Sequence, residues 1–154
     1  MFAANLQSSL RSPDSLEIIM QPTILIMDDN EDDILITKVA LSKTGRDFRR
    51  EIALSGEAGL ALIRREKTPP KLILLDLKMP RMDGIEVLRK IRDDESLSRI
   101  PVVMVTNSNL ESDGQEAIKA GADIFLHKAT DLDQFKKDIE RILDCWIDTN
   151  PLHR

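Results

Sequence analysis

Four short apolar runs each end in a polar residue whose chemistry suits a phosphoryl group. The run 23–27 leads into Asp28 and Asp29, 72–75 into Asp76, 101–105 into Thr106, and 123–127 into Lys128. Set side by side along one sheet edge, where open α/β sheets bind ligands, these ends supply three carboxylates, a hydroxyl and an ammonium. Carboxylates held close together repel one another, and each ionised group raises the cost of the next. They call for a cation. An all-oxygen set with no thiolate or imidazole cluster favours Mg2+ or Mn2+, and Mg2+ characteristically bridges carboxylates to phosphate while keeping several waters.

With that charge balanced, one carboxylate is free to attack a phosphoryl group and form an acyl phosphate. Asp76 is the best placed, being single, central and at the end of the most continuous apolar run. Thr106 and Lys128 can then stabilise charge on the equatorial oxygens, and Lys128 can pair with the carboxylates at rest. Each residue also has a plainer role. Asp28, Asp29 and Asn30 can cap a helix, Thr106 can end a strand, and a lone lysine is ordinarily a surface residue. Those roles do not explain why all of these residue types fall at strand ends on one predicted edge.

Such an edge requires strands and crossovers in alternation. From Thr23 onward, apolar runs alternate with longer amphipathic segments, the pattern of repeated βα units. Helices are predicted over 31–44, stopping at Gly45, and over 56–66, closed by Pro69-Pro70. Asp83 caps a third that carries Ile85, Leu88 and Ile91, and a fourth spans 110–119 and ends toward Gly121. Thr130 with Asp133 resembles a capping box that opens a last helix running to about Thr149. The remaining strand is 49–54. Right-handed crossovers can wind the helices onto both faces of a five-stranded parallel sheet, and the known doubly wound order 2-1-3-4-5 would set the first and third strands side by side at the switch point.

Bulk properties narrow the possibilities. The 154 residues suit one domain with a real core, 42 % being hydrophobic and 32 % charged. A net charge of -5, from 27 acidic and 22 basic residues, argues against nucleic acid as a partner. No apolar run is long enough to span a membrane and no secretory signal is evident, so a cytoplasmic location is expected. Cys145, the sole cysteine, is expected to be structural, and neither His127 nor His153 has a second ligand at metal spacing. Residues 1–22 are expected to form a flexible N-terminal extension, residues 23–149 the folded domain, and residues 150–154 a tail.

The ordered set of motifs resembles the receiver domain of two-component response regulators. The resemblance rests on Asp28-Asp29, the stretch Asp76-Leu77-Lys78-Met79-Pro80-Arg81-Met82-Asp83-Gly84, Thr106, Ala120-Gly121-Ala122-Asp123 and Lys128. The separations of 30 residues from Asp76 to Thr106 and 22 from Thr106 to Lys128 also suit that family. It implies a flavodoxin-like receiver fold in which Asp76 takes phosphate from a phosphohistidine on a sensor histidine kinase. It further implies Mg2+ bound by Asp28 or Asp29, by Asp76 and by the backbone carbonyl of Lys78. Thr106 would then move toward the phosphate, and Phe125 would be the aromatic that changes exposure. One departure stands out: the family usually has proline after its lysine, whereas Ala129 follows Lys128 here. A cis bond before alanine costs roughly 3 kcal/mol, so a trans peptide is expected.

Few residues follow the last helix, which implies a single-domain regulator that signals by protein contact. That helix carries Leu132, Phe135, Ile139, Ile142, Leu143, Trp146 and Ile147, a wide stripe that suggests a homodimer or partner surface beyond sheet packing. Trp146 can equally cover the sheet edge or the N-terminal extension. The stretch from Asp131 to Ile147 is similar to regulators that serve phytochrome-type histidine kinases, with relays for hybrid kinases and motility-type regulators as the other subtypes. Three further readings compete: a phosphate-independent interaction module, an aspartate-nucleophile phosphatase and a flavin-binding protein. The phosphatase wants a second carboxylate two residues beyond Asp76, where Lys78 stands, and the acidic loop from Asp28 to Asp33 would repel a flavin phosphate.

Overall fold

The computed structural model describes residues 21–128 and 131–147. The strands are β1 (Thr23–Met27), β2 (Arg49–Ala53), β3 (Leu72–Asp76), β4 (Val102–Thr106) and β5 (Ile124–His127). The helices are α1 (Glu31–Lys43), α2 (Gly56–Arg65), α3 (Gly84–Asp93), α4 (Glu111–Lys119) and α5 (Leu132–Trp146). All strand pairs are parallel and the order is β2-β1-β3-β4-β5, as the sequence predicts.

Alternation along each strand divides the core into two layers. Leu25, Met27, Ile73, Leu75, Val102 and Met104 face one side, where Leu60, Ile63, Leu88, Ile91 and Ala117 from α2, α3 and α4 cover them. Ile24, Ile26, Leu72, Leu74, Val103 and Val105 face the other, against Ile34, Leu41, Phe135 and Ile139 from α1 and α5. Burial on both faces explains why the central strands read as unbroken apolar runs. The edge strand β2 carries exposed Arg49 and Arg50, which discourages pairing with another chain.

Local chemistry sets most helix ends. Asn30, Ser55 and Asp83 accept hydrogen bonds from the backbone N–H of Asp33, Ala58 and Glu86. Gly45 follows α1 at φ 70°, a conformation glycine adopts without Cβ strain. Two expected starts are corrected. Leu110 precedes α4 and supplies no side-chain cap, while the α5 cap is Asp131, whose carboxylate accepts from the Asp133 N–H. Thr130, the Lys128–Ala129 peptide, residues 1–20 and residues 148–154 lie outside the described residues, and with them most of the expected extension, the tail, His153 and the expected end of α5.

The α5 stripe is taken up by the chain's own packing. Phe135, Ile139, Ile142 and Leu143 are buried in the sheet core, and Leu132, Trp146 and Ile147 pack partly buried against it. The sheet and α1 thus cover most of the stripe, while Leu132, Trp146 and Ile147 keep part of their surface exposed. Cys145 is exposed beside this stripe rather than structural in the core. The motif 120–123 also acquires a physical role. The Arg92 guanidinium donates to the carbonyls of Gly121 (2.9 Å), Ser98 (2.9 Å) and Ile100 (2.7 Å), and to Asp123 Oδ2 (2.9 Å). Asp123 Oδ2 also accepts from the Val102 N–H at 2.8 Å, tying α3 to the starts of β4 and β5.

Candidate functional site

Strand register brings the predicted residues together. Met27 lies opposite Leu75, so Asp28 and Asp76 emerge side by side where β1 meets β3. Asp76 is opposite Val105 and Thr106 opposite His127, which sets Thr106 and then Lys128 along the same edge. Asp28, Asp29 and Asp76 each present a carboxylate oxygen, and the three atoms lie within 4.8 Å of one another. Asp28 is buried: its Oδ1 accepts from the Asn30 N–H at 3.0 Å and its Oδ2 from Lys128 Nζ at 2.9 Å. Asp29 is exposed at the mouth.

Lys128 reaches the carboxylates despite Ala129. Its buried ammonium also lies 2.9 Å from Asp33 Oδ2 and 3.7 Å from Asp76 Oδ1. Its backbone N–H donates to the Thr106 carbonyl at 2.7 Å, which sets the start of the side chain. Thr106 is buried, and its Oγ1 accepts from the Ser108 N–H at 3.0 Å, fixing the hydroxyl oxygen at the strand end. Asp29, Asp33, Asp76, Thr106 and Ser108 border a cleft of about 330 Å3, which Lys78 also lines.

The loop after Asp76 is held tightly. Met82 N–H donates to the Pro80 carbonyl across Arg81, a non-glycine residue at φ 68°. Gly84 N–H donates to the Leu77 carbonyl at 2.8 Å, and a Cβ on Gly84 would stand 2.3 Å from the Asp76 carbonyl oxygen and 2.9 Å from Leu77 Cα. Both obstacles are backbone, so Gly84→Ala must displace the acceptor strand's end. The expected loss is about 2 kcal/mol or more in urea unfolding, against the small gain that alanine gives an ordinary helix position. Wild-type stability would contradict the close approach.

Electrostatics make the resting site a frustrated one. Burial, then repulsion from Asp28, pushes Asp76 up to about 7; Lys128 opposes the rise, and Asp29 and Asp33 add to it. Burial alone would lower Lys128, but hydrogen bonds to Asp33 and Asp28 and the nearby charge of Asp76 hold it above the usual lysine range. The buried ammonium of Lys128 thus lies near Asp28, Asp33 and Asp76, with Asp29 close beside them. The all-oxygen donor set and its surplus negative charge fit a hard divalent cation such as Mg2+ or Mn2+.

Phe125 lies on β5, half-buried, with its ring against α4 at Gly114, where a Cβ would be 3.1 Å from the ring. It lines a surface groove of about 640 Å3 together with exposed Ile118. Asp33 is the site residue that the sequence reading missed. In the sequence it is one more acid in a helix's first turn, favourable to the helix dipole, and its partner is 95 residues away. Its position five residues after Asp28, one helical turn above the strand end, was the available signal.

The chain resembles known proteins over most of its length. Residues 24–140 match the response regulator receiver domain. The probable methanogenesis regulatory protein FilR2 of Methanothrix harundinacea is 32 % identical over 145 residues, covering 92 % of this chain and 94 % of that protein. Response regulator Rcp1 of Synechocystis is 33 % identical over 131 residues, covering 82 % and 89 %. The phosphorylated cyanobacterial phytochrome response regulator RcpA superposes with a TM-score of 0.76 at 30 % identity, covering 84 % of this chain and 96 % of that one. The Mn2+-bound form of Rcp1 superposes at 0.73, also at 30 % identity, with the same coverage. No helix among the described residues is long and apolar enough to cross a membrane. With residues 24–140 matching the receiver domain and the fold superposing on solved receivers, the chain belongs to the response regulator receiver family of two-component signalling proteins.

Proposed function

We propose that the chain is a response regulator acting in the cytoplasm, with residues 23–149 as its receiver, that accepts a phosphoryl group on Asp76 from a sensor histidine kinase. One observation carries the proposal: Asp28, Asp29 and Asp76 converge within 4.8 Å while Lys128 and Thr106 flank them on the same sheet edge. An Asp76 carboxylate oxygen forms a bond to phosphorus as the phosphorus–nitrogen bond of a phosphohistidine breaks, and the imidazole leaves with the electron pair. Asp28, Asp29, Asp76 and the Lys78 carbonyl would hold Mg2+, which supplies positive charge to the phosphoryl oxygens when bound.

Lys128 and the Thr106 hydroxyl contact the transferred group from the opposite side. Movement of Thr106 toward that group then alters the space available to Phe125, and the rearranged β5–α4 surface passes the signal to another protein. A phytochrome-type kinase is the proposed donor, supported by the likeness to RcpA, a cyanobacterial phytochrome response regulator. The phosphatase alternative loses ground because exposed Lys78, rather than a carboxylate, borders the cleft two residues beyond Asp76. A phosphate-independent module gives no use for a carboxyl group pushed up to about 7 by burial and by repulsion from Asp28.

The test is transfer from a panel of autophosphorylated histidine kinases that includes phytochrome-type members. Rapid Mg2+-dependent loss of label from a phytochrome-type kinase, with gain on this chain, is expected. Transfer only from another kinase class would overturn the donor assignment, and failure with every kinase would count against the function.

A further inference from the structure

Asp33 stands apart from the three-carboxylate cluster yet its contact with the Lys128 ammonium is as short as that of Asp28. Lys128 Nζ is 2.9 Å from both Asp28 Oδ2 and Asp33 Oδ2, but 3.7 Å from Asp76 Oδ1. The ammonium therefore sits on the α1 side of the cleft, drawn away from the proposed acceptor. Asp33 is itself anchored: Asn30 caps its backbone N–H at 3.0 Å, and Asn107 Nδ2 donates to its Oδ2 at 3.3 Å.

We infer that Asp33 is a positioning residue that retains Lys128 and competes with the phosphoryl group for it. This inference rests on the proposed phosphoryl-accepting function. Asp28, Asp29 and Asp76 would hold a divalent ion, which would leave Asp33 as the carboxylate that still holds the ammonium. For Lys128 to engage an anion on Asp76, its hydrogen bond to Asp33 must break or be shared. The strength of that bond then tunes how readily the phosphorylated arrangement forms, without any contact between Asp33 and the acceptor. The device involves two elements distant in the chain, the first turn of α1 and the residue that follows β5.

The probe is beryllofluoride, a phosphoryl mimic, titrated at saturating Mg2+ and followed by fluorine NMR of the bound species. Asp33→Asn keeps the side chain's size and its amide can still face Asn107, but it no longer attracts the ammonium by charge. The expected result is about fivefold tighter beryllofluoride binding, with wild-type affinity restored in Asp33→Glu. In a Lys128→Met background the same asparagine substitution should change affinity less than twofold, because the competing partner is gone. Unchanged or weaker binding by Asp33→Asn would overturn the inference, and so would an undiminished gain in the Lys128→Met background, which would mark a direct charge effect. Failure of the wild-type chain to bind beryllofluoride would instead overturn the phosphoryl-accepting function on which the inference rests.

Discussion

Asp76→Asn is expected to stabilise the metal-free protein by about 2 kcal/mol at pH 8, measured by urea unfolding in EDTA. Asp76 is pushed up from 3.8 to about 7, first by burial and then by repulsion from Asp28. A carboxyl group with a raised folded pKa binds its proton more tightly when folded. Unfolding between pH 4 and 7 therefore releases a proton, and stability falls as pH rises through that window. The full linkage is about 4 kcal/mol, which loss of the attraction to Lys128 and water at the cleft mouth reduce. Asparagine does not titrate, so the advantage should shrink toward zero near pH 4 and level off above pH 7. Mg2+ should narrow the gap by stabilising the wild type more. A destabilised variant at pH 8, or a gain that does not vary with pH, would show that Asp76 is not strained by its neighbours.

Lys128→Met should have the opposite and larger effect. The ammonium is 7 % exposed, and its partners Asp28 and Asp33 are 5 % and 19 % exposed, so its removal leaves buried carboxylates without their cation. A loss of about 3 kcal/mol is expected at pH 8 in EDTA, since breaking one side of a buried ion pair strands the other. Mg2+ should recover much of it and bind more tightly than to the wild type, because the ion and the ammonium neutralise the same charges. Phosphorylation by acetyl phosphate should nevertheless slow by about 100-fold at saturating Mg2+, as expected when one charge-stabilising group is lost from a transition state. Wild-type stability in EDTA, or an unchanged rate, would remove Lys128 from the role its geometry gives it. The sign also follows from its raised pKa: its stabilising charge is present below the unfolded lysine value and lost as pH rises through the higher folded one.

What could be read in the sequence follows from the range of the interactions involved. Asp28, Asp76, Thr106 and Lys128 could be assigned to one edge because each ends an apolar run, and a parallel sheet aligns all of its strand ends whatever their order. Asp83 as a helix cap was equally legible, since its hydrogen bond to the Glu86 N–H spans three residues. Asp33 was not. Its charge has a sufficient local reason at the start of α1, and only the folded chain shows the ammonium arriving from residue 128. The cover over the α5 stripe was hidden for the same cause: a count of apolar residues cannot say how much of a helix face its own sheet and α1 will cover, and here they cover most of it. Arg92 drew no attention in the sequence, though four of its hydrogen bonds hold the amino-terminal side of the sheet together.

Intact mass after incubation with acetyl phosphate and Mg2+ tests the central claim most directly. One phosphoryl addition to the wild-type chain is expected, prevented by EDTA and absent from Asp76→Asn, with the variant shown to be folded by its urea transition. No addition to the wild type, or an addition that persists in the folded Asp76→Asn variant, would contradict the assignment of Asp76 as the phosphoryl acceptor.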